Sequence, residues 1–362
     1  MNTLNTPIHV KLWHRDFWAL AFASLLVTVS VYMLLPVMPH WLMQHQHLSP
    51  WQTGCSMGVF GLGIYLFGAF CSWLVQRYRR NVVCLWAIVA LAFNVAALWY
   101  ACRIHSPYLG FGTILLHRFL LGATFGLAQM VLSSTLIIDT CESYQRTEAN
   151  HSTSWFSRFA LSLGPLAGMV VCQLAGFQGV LLAACCCAIA ALLLVKVVRF
   201  PFRSPDEGVR IVSLDRFLLT SGWVLFLNLL LVSVVVGLLL SMPLSAVFYA
   251  LMMVGFLLAL LVLLVNPVSP VAPVLAGLSV GIIGSRFLLF FIKLSRHCQR
   301  GTSQSTYFLG WETGVAGGLA LGYAVFYQQP QALLYTALAL TVSALLLYHF
   351  YTHSWFLCHK NR

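Results

Sequence analysis

An all-α membrane protein with about eleven transmembrane helices is the fold class this sequence predicts, on three observations. Only 8% of the 362 residues are charged and 60% are hydrophobic, whereas a soluble domain carries about 25% charged residues. Apolar runs close to the ~20 residues that span a bilayer as a helix recur along the whole chain. The runs are continuous rather than alternating, which argues against the period-2 pattern of a membrane β-barrel.

The spans follow in order. Phe17 to His40 is the first, behind a tail carrying Lys11 and Arg15. It is too long for a signal-peptide core and lacks a small-residue cleavage site, so it stays in the protein as a span. The second, Trp51 to Val75, is rich in glycine at Gly54, Gly58, Gly61, Gly63 and Gly68, and small residues let helices approach closely. Val82 to Ala101 is the third and Tyr108 to Val131 the fourth. After a polar loop with Asp139, Glu142, Arg146 and Glu148 come Ser152 to Leu174 and Val180 to Val198. Residues Arg199 to Arg216 form the one long polar stretch, with Pro201, Pro205 and Gly208, and read as a linker. Phe217 to Leu240 and Leu244 to Val265 follow, then a break at Asn266-Pro267. The last three spans are Ala272 to Ile292, Ser305 to Tyr327 and Ala332 to Tyr351. Three units are expected: residues 1–198 as a six-helix bundle, 199–216 as a cytoplasmic linker, and 217–362 as a bundle of about five helices.

The formal net charge of +12 does not indicate nucleic acid, because membrane proteins gather Lys and Arg in their cytoplasmic loops. Here sixteen of the twenty basic residues fall in the N-terminal tail, the loops at Arg77, Arg146, Lys196 to Arg216 and Lys293 to Arg300, and the C-terminal tail. That bias puts the N-terminus in the cytoplasm. Strict alternation through eleven spans conflicts with it, since it places Lys293, Arg296 and Arg300 outside. The conflict falls near Val265 to Ala272, where one helix of a twelve-helix plan, the ninth, is expected to be missing or incomplete. The eleven cysteines are scattered through apolar runs, and their spacing fits neither a metal site nor a disulfide framework.

Two stretches repeat. Ser152 to Gly168 reads STSWFSRFALSLGPLAG, and Ser305 to Leu321 reads STYFLGWETGVAGGLAL. Aligned without a gap, Ser152-Thr153 falls on Ser305-Thr306 and Gly164 on Gly317. The span before each carries the tetrapeptide RFLL, at Arg118 and at Arg286. Internal repetition in a membrane protein points to a transporter with its site near mid-membrane, between the halves.

Three motifs resemble the major facilitator superfamily, and the resemblance covers essentially the whole chain. Ser72 to Asn81 matches the family's loop after the second span at Leu74, Arg77 and Arg80, but Gln76 stands where the family has Asp. Arg118 and Gly122 match the fourth-span pattern. Ala160, Gly164, Pro165 and Gly168 match the fifth-span Gly-Pro signature of the efflux or antiporter branches. The resemblance implies two helical bundles, alternating access and secondary transport of a small organic solute, with proton coupling and efflux as the finer expectation. The lost Asp and the unmatched crossing support an alternative: a non-transporting receptor or scaffold of the same family.

Charges inside a bilayer cost at least ~2.5 to 3.5 kcal/mol and tend to be paired and functional. The intramembrane candidates are Arg118, Arg158, Arg286 and Glu312. Glu312 can carry a proton or hold a cation, with Arg286 or Arg158 tuning its pKa; structurally, it can be a fixed ion pair holding two helices. Arg118 can orient an anion or bond neighbouring carbonyls. His117 can relay protons or pack. Asn94, Asn228 and Tyr32 can line a cavity or join helices. Arg77, Arg80, Asp139, Glu142 and Arg146 are candidates for a gating loop. Gly164, Pro165, Gly168 and Gly317 form a small-residue face, either for rocking or for static packing. No nucleophile elbow, phosphate loop or zinc-protease motif occurs, so no enzyme, cofactor or metal is expected. The expected partners are a small-molecule substrate, protons and the lipid bilayer, for a monomer in an inner or plasma membrane.

Overall fold

The computed structural model describes residues 11–104, 109–200, 208–242, 246, 272–296 and 299–360. The expected span Leu244 to Val265 and the break after it lie outside the described residues. Helices carry almost everything else. In order they are α1 (Arg15–Tyr32), α2 (Leu34–His45), α3 (Pro50–Gly63), α4 (Cys71–Arg77), α5 (Arg80–Arg103), α6 (Phe111–Val131), α7 (Ile137–Asp139), α8 (Arg146–Val197), α9 (Trp223–Leu240), α10 (Ala272–Leu294), α11 (Arg300–Ala324), α12 (Pro330–Leu347) and α13 (His353–His359).

Local chemistry sets the breaks. The first span divides into α1 and α2 at Met33. Pro36 lacks an N–H and its ring crowds the carbonyl four residues back, at Tyr32, so the helix cannot run straight through. The second span starts on a capping box: Ser49 Oγ accepts from Gln52 N, and the Gln52 side chain accepts from Ser49 N. The 52 residues of α8 would extend about 78 Å as one rod, far more than a bilayer. Gly176, with φ of +67°, interrupts it and divides it into two passes; that left-handed backbone is open to glycine without a Cβ penalty.

Eight helical stretches among the described residues are long and apolar enough to cross a membrane. The second pass within α8 and the more polar α11 bring the described passes to ten, in keeping with an all-helical chain of about eleven. The polar character of α11 is tolerated because most of it is buried by protein, from Thr302 through Tyr323.

In the first half, the first pass of α8 packs along α1, while α5 packs on both α6 and α8. In the second half, α11 packs along α9 in the same way that α8 packs along α1. This agreement supports the sequence repeat but shifts its register by one residue. Gly164 and Gly168 admit Tyr32 and Met33, a Cβ at Gly164 lying 2.6 Å from the Tyr32 Cβ. The glycines of α11 that admit α9 are Gly314, against Leu230 and Ser233, then Gly318, against Val234 and Leu238, then Gly322, against Leu238 and Ser241. Ala160, Gly164 and Gly168 thus correspond to Gly314, Gly318 and Gly322. In that register Arg158 falls on Glu312. A Cβ at Gly317 meets nothing within 4 Å.

The two halves meet along α3 and α11. Cβ atoms at Gly58 and Gly61 would lie 2.8 Å from the Ala320 Cβ and 2.9 Å from the Ala316 Cβ. Gly63 faces the other way, onto Phe119 of α6.

The position of the Lys293 to Arg300 loop resolves the conflict over alternation. Phe291, near the end of α10, packs on Gly222 just before α9, so the two helices run antiparallel. Gly301 abuts Ser134 at the end of the fourth span, and Thr302 bonds the segment at Asp215 and Arg216. The loop therefore lies on the same face as Arg80, Arg146 and Arg216. Simple alternation through eleven spans put it on the opposite face; the packing of its flanking helices corrects that.

Candidate functional site

Polar contacts join the halves at three places along the seam. Tyr32, where α1 ends, donates its hydroxyl proton to Glu312 Oε1 of α11 at 2.5 Å. Both side chains are buried, at 2% and 4% exposure. Tyr65, between α3 and α4, shares a hydrogen bond of 2.7 Å with Thr313. Arg158 of α8 donates through Nη2 to Ser154 Oγ at 2.7 Å, through Nε to the Tyr307 hydroxyl at 3.2 Å, and through Nη1 to the Gly281 carbonyl at 3.4 Å. Its guanidinium also lies over the rings of Trp155 and Tyr307, at 5.2 and 5.7 Å. Gly284 makes room for this, since a Cβ there would come within 2.8 Å of Arg158 Nε.

Arg158 thus ties the first half to α10 and α11, with no acidic partner among the described residues. The sequence suggested that Arg158 or Arg286 tunes Glu312, or that Glu312 sits in a fixed ion pair. The hydrogen-bond partner of Glu312 is instead Tyr32, and neither arginine pairs with it among the described residues.

The fourth-span pair is a local lock. His117 Nδ1 lies 2.6 Å from Asn94 Oδ1, and Asn94 Nδ2 donates to the His117 carbonyl at 2.9 Å. A proton on Nδ1 satisfies both partners. Arg118 is 1% exposed; its Nε donates to the Ser56 carbonyl at 3.3 Å and its guanidinium lies over the Phe60 ring at 5.0 Å. The void beside these three residues is ≈ 10 Å³, enough for about one water and far too small for an organic solute.

Asn228 and Arg286 lie apart from the seam. Asn228 Nδ2 donates to the Ala344 carbonyl at 3.1 Å and reaches Thr352 Oγ1 at 3.4 Å. Both residues line a cavity of ≈ 750 Å³ bounded by α9, α10 and α12.

At the basic face, Arg80 and Asp139 form an ion pair. Glu142 precedes the short turn that leads into α8, which begins at Arg146. Arg77 closes α4 beside Gln76. The sequence did not single out what happens next to that Gln. Gln76 Nε2 donates to Ser72 Oγ at 2.9 Å, and Ser72 Oγ donates to Asp215 Oδ2 at 3.4 Å. Asp215 Oδ1 accepts from Thr302 Oγ1 at 3.2 Å, and that oxygen accepts from Arg216 N at 2.9 Å. Arg216 Nη1 donates to Thr135 Oγ1 at 3.1 Å, and Leu219 N donates to Thr306 Oγ1 at 2.7 Å. One segment therefore bonds the second and fourth spans of the first half to α11 of the second.

A polar seam runs between two repeated halves, and the segment at Asp215 and Arg216 closes it at one face. A family model described as Major Facilitator Superfamily matches residues 20–295. The chain belongs to the major facilitator superfamily. Members are transporters, so this is a multi-pass membrane protein of a transport family and not an enzyme.

Solved structures of the superfamily share its fold at low identity. The D-xylose-proton symporter superposes with a TM-score of 0.66 at 13% identity, covering 93% of this chain and 97% of that one. The human organic anion transporter MFSD10 (TETRAN) gives 0.60 at 17% identity, covering 92% and 98%. The nucleoside transporter NupG gives 0.59 at 12%, covering 92% and 100%. No curated protein matches the chain in sequence.

Proposed function

We propose that this member of the major facilitator superfamily is a proton-coupled secondary transporter that exports a small organic solute by alternating access. In this reading, residues 1–198 and 217–362 are the two moving bundles and 199–216 is the cytoplasmic linker. The protein sits as a monomer in an inner or plasma membrane with its N-terminus and basic face in the cytoplasm, as the Lys and Arg bias favours. The superfamily structures named above carry a sugar, a nucleoside or an organic anion in their descriptions, which supports a small organic cargo. Export rests on the likeness of Ala160, Gly164, Pro165 and Gly168 to the efflux signature.

The observation that carries the reading is the Tyr32–Glu312 hydrogen bond across the seam. A carboxyl group exchanges one proton for one unit of charge. Placed between two bundles, that exchange biases which of two packings is favoured, the requirement for coupling a proton to a conformational change. Arg158 and the Asp215 segment are the contacts that must break for the basic face to open. Among the described residues their hydrogen bonds across to the second half go to neutral hydroxyls or a carbonyl, which water can replace once the face parts.

The test is solute flux in proteoliposomes under an imposed pH gradient, for a panel of sugars, nucleosides and organic anions. Proton-driven flux is expected in the native protein and is expected to be lost in Glu312→Gln, with uncoupled exchange retained. Flux that responds to the gradient equally in Glu312→Gln would sink the coupling assignment. No flux of any solute by folded protein would favour the receptor or scaffold reading, for which the Gln at position 76 is the sequence argument.

A further inference from the structure

The cavity of ≈ 750 Å³ in the second half is not used by the reading above. Tyr32, Arg158 and Glu312 are all outside its described lining. Apolar side chains make up most of the described surface, among them eight valines, leucines and isoleucines of α9 and α10. Arg286 interrupts them. It lies eight residues, about 12 Å along the helix, before the end of α10 at Leu294. It is exposed, and among the described residues no hydrogen bond or ion pair reaches its guanidinium. Tyr348 and His353, joined at 3.3 Å, and Asn228 stand on the same lining, which holds no Asp or Glu among its described residues.

A guanidinium at this depth is costly unless an anion or a dense set of acceptors meets it. An apolar chamber with one fixed cation is complementary to a molecule that has an apolar body and one negative head. The volume lies within the range of pockets for small organic ligands, about 300 to 1,000 Å³.

We propose that this cavity binds an amphiphilic organic anion, its acidic head on Arg286 and its apolar body along the walls of α9 and α10. The head can belong to a membrane lipid or to a soluble amphiphile. The site stands whether or not the chain couples transport to protons.

The test is thermal unfolding of the purified full chain in a neutral detergent, titrated with decanoate, 1-decanol and decyltrimethylammonium. Decanoate is expected to raise the unfolding midpoint in a saturable way, and the two controls are not. Arg286→Lys is expected to keep the effect, and Arg286→Gln to weaken decanoate binding at least tenfold. Ile283→Trp, which narrows the chamber one turn from Arg286 and leaves the charge in place, is expected to weaken decanoate binding at least tenfold, and this variant decides the matter if Arg286→Gln fails to fold. Equal stabilisation by decanoate and decanol, or decanoate binding by both variants within twofold of the native protein, overturns the proposal. Native mass spectrometry of protein extracted from membranes separates the sources. An anionic phospholipid retained by the native protein and lost in Arg286→Gln assigns a lipid. Decanoate binding without retained lipid assigns a soluble amphiphile.

Discussion

Arg118 and Glu312 are both intramembrane charges, yet their surroundings differ. Arg118 sits against a carbonyl, an aromatic face and a void of ≈ 10 Å³, which makes it a strut between the second and fourth spans. Glu312 meets a hydroxyl from the other half, a contact that a relative movement of the halves can make or break. The Asn94–His117 pair belongs with the struts. Asn94→Ala leaves the His117 ring nitrogen and its carbonyl without their partner, and an unmade buried hydrogen bond costs about 1 to 3 kcal/mol. A loss of stability of that order is expected, read as a lowered unfolding midpoint in detergent. Sequence reasoning found these residues because charges and amides stand out in apolar runs. It missed Ser154, Tyr65, Tyr307 and Thr313, because hydroxyls in a membrane helix can also bond their own backbone, as Thr124 and Ser133 do here. Only the neighbouring helix tells the two cases apart.

At the scale of the element, the repeat was legible and its register was not. The α11 segment carries Gly314, Gly317 and Gly318 close together. Spacings of three and four residues both keep a small residue on one helical stripe, so an ungapped match on Ser-Thr fixes the stripe only to within a residue. Packing against α9 selects Gly318 over Gly317. A paired substitution reads this directly. Gly318→Ala overpacks the contact with Val234 and Leu238 and is expected to cost about 1 to 3 kcal/mol. Gly317→Ala faces open space and is expected to stabilise by about 0.5 to 1 kcal/mol, since alanine loses less backbone freedom in a helix. Thermal unfolding of the two variants side by side is the check, and the reverse order would restore the original register. The Gly176 reversal inside α8 was legible only as a gap between two apolar runs. The α1–α2 break needed the recognition that Pro36 acts on the carbonyl of Tyr32.

For the whole molecule, the positive-residue count proved a better guide to topology than the count of spans. The loop at Lys293 to Arg300 shares a face with the linker residues because α10 runs antiparallel to α9 and parallel to neither α9 nor α11. The latch at that face was not legible at all: Asp215 looked like one charge in a polar linker. It supplies a carboxylate to Ser72, whose hydroxyl in turn accepts from Gln76, the residue that stands where the superfamily motif carries its own Asp. The central claim is that the halves rock about the α3–α11 seam under the control of Glu312. Electron–electron distance measurements test it most directly and need no knowledge of the substrate. Spin-label pairs would be placed at Tyr78 and Arg296 on the basic face, and at Gln44 and Gln331 on the opposite face. Between low and high pH the two distance distributions are expected to shift in opposite senses, and both shifts are expected to vanish in Glu312→Gln. Distances that ignore pH, or that move identically in Glu312→Gln, would contradict the account.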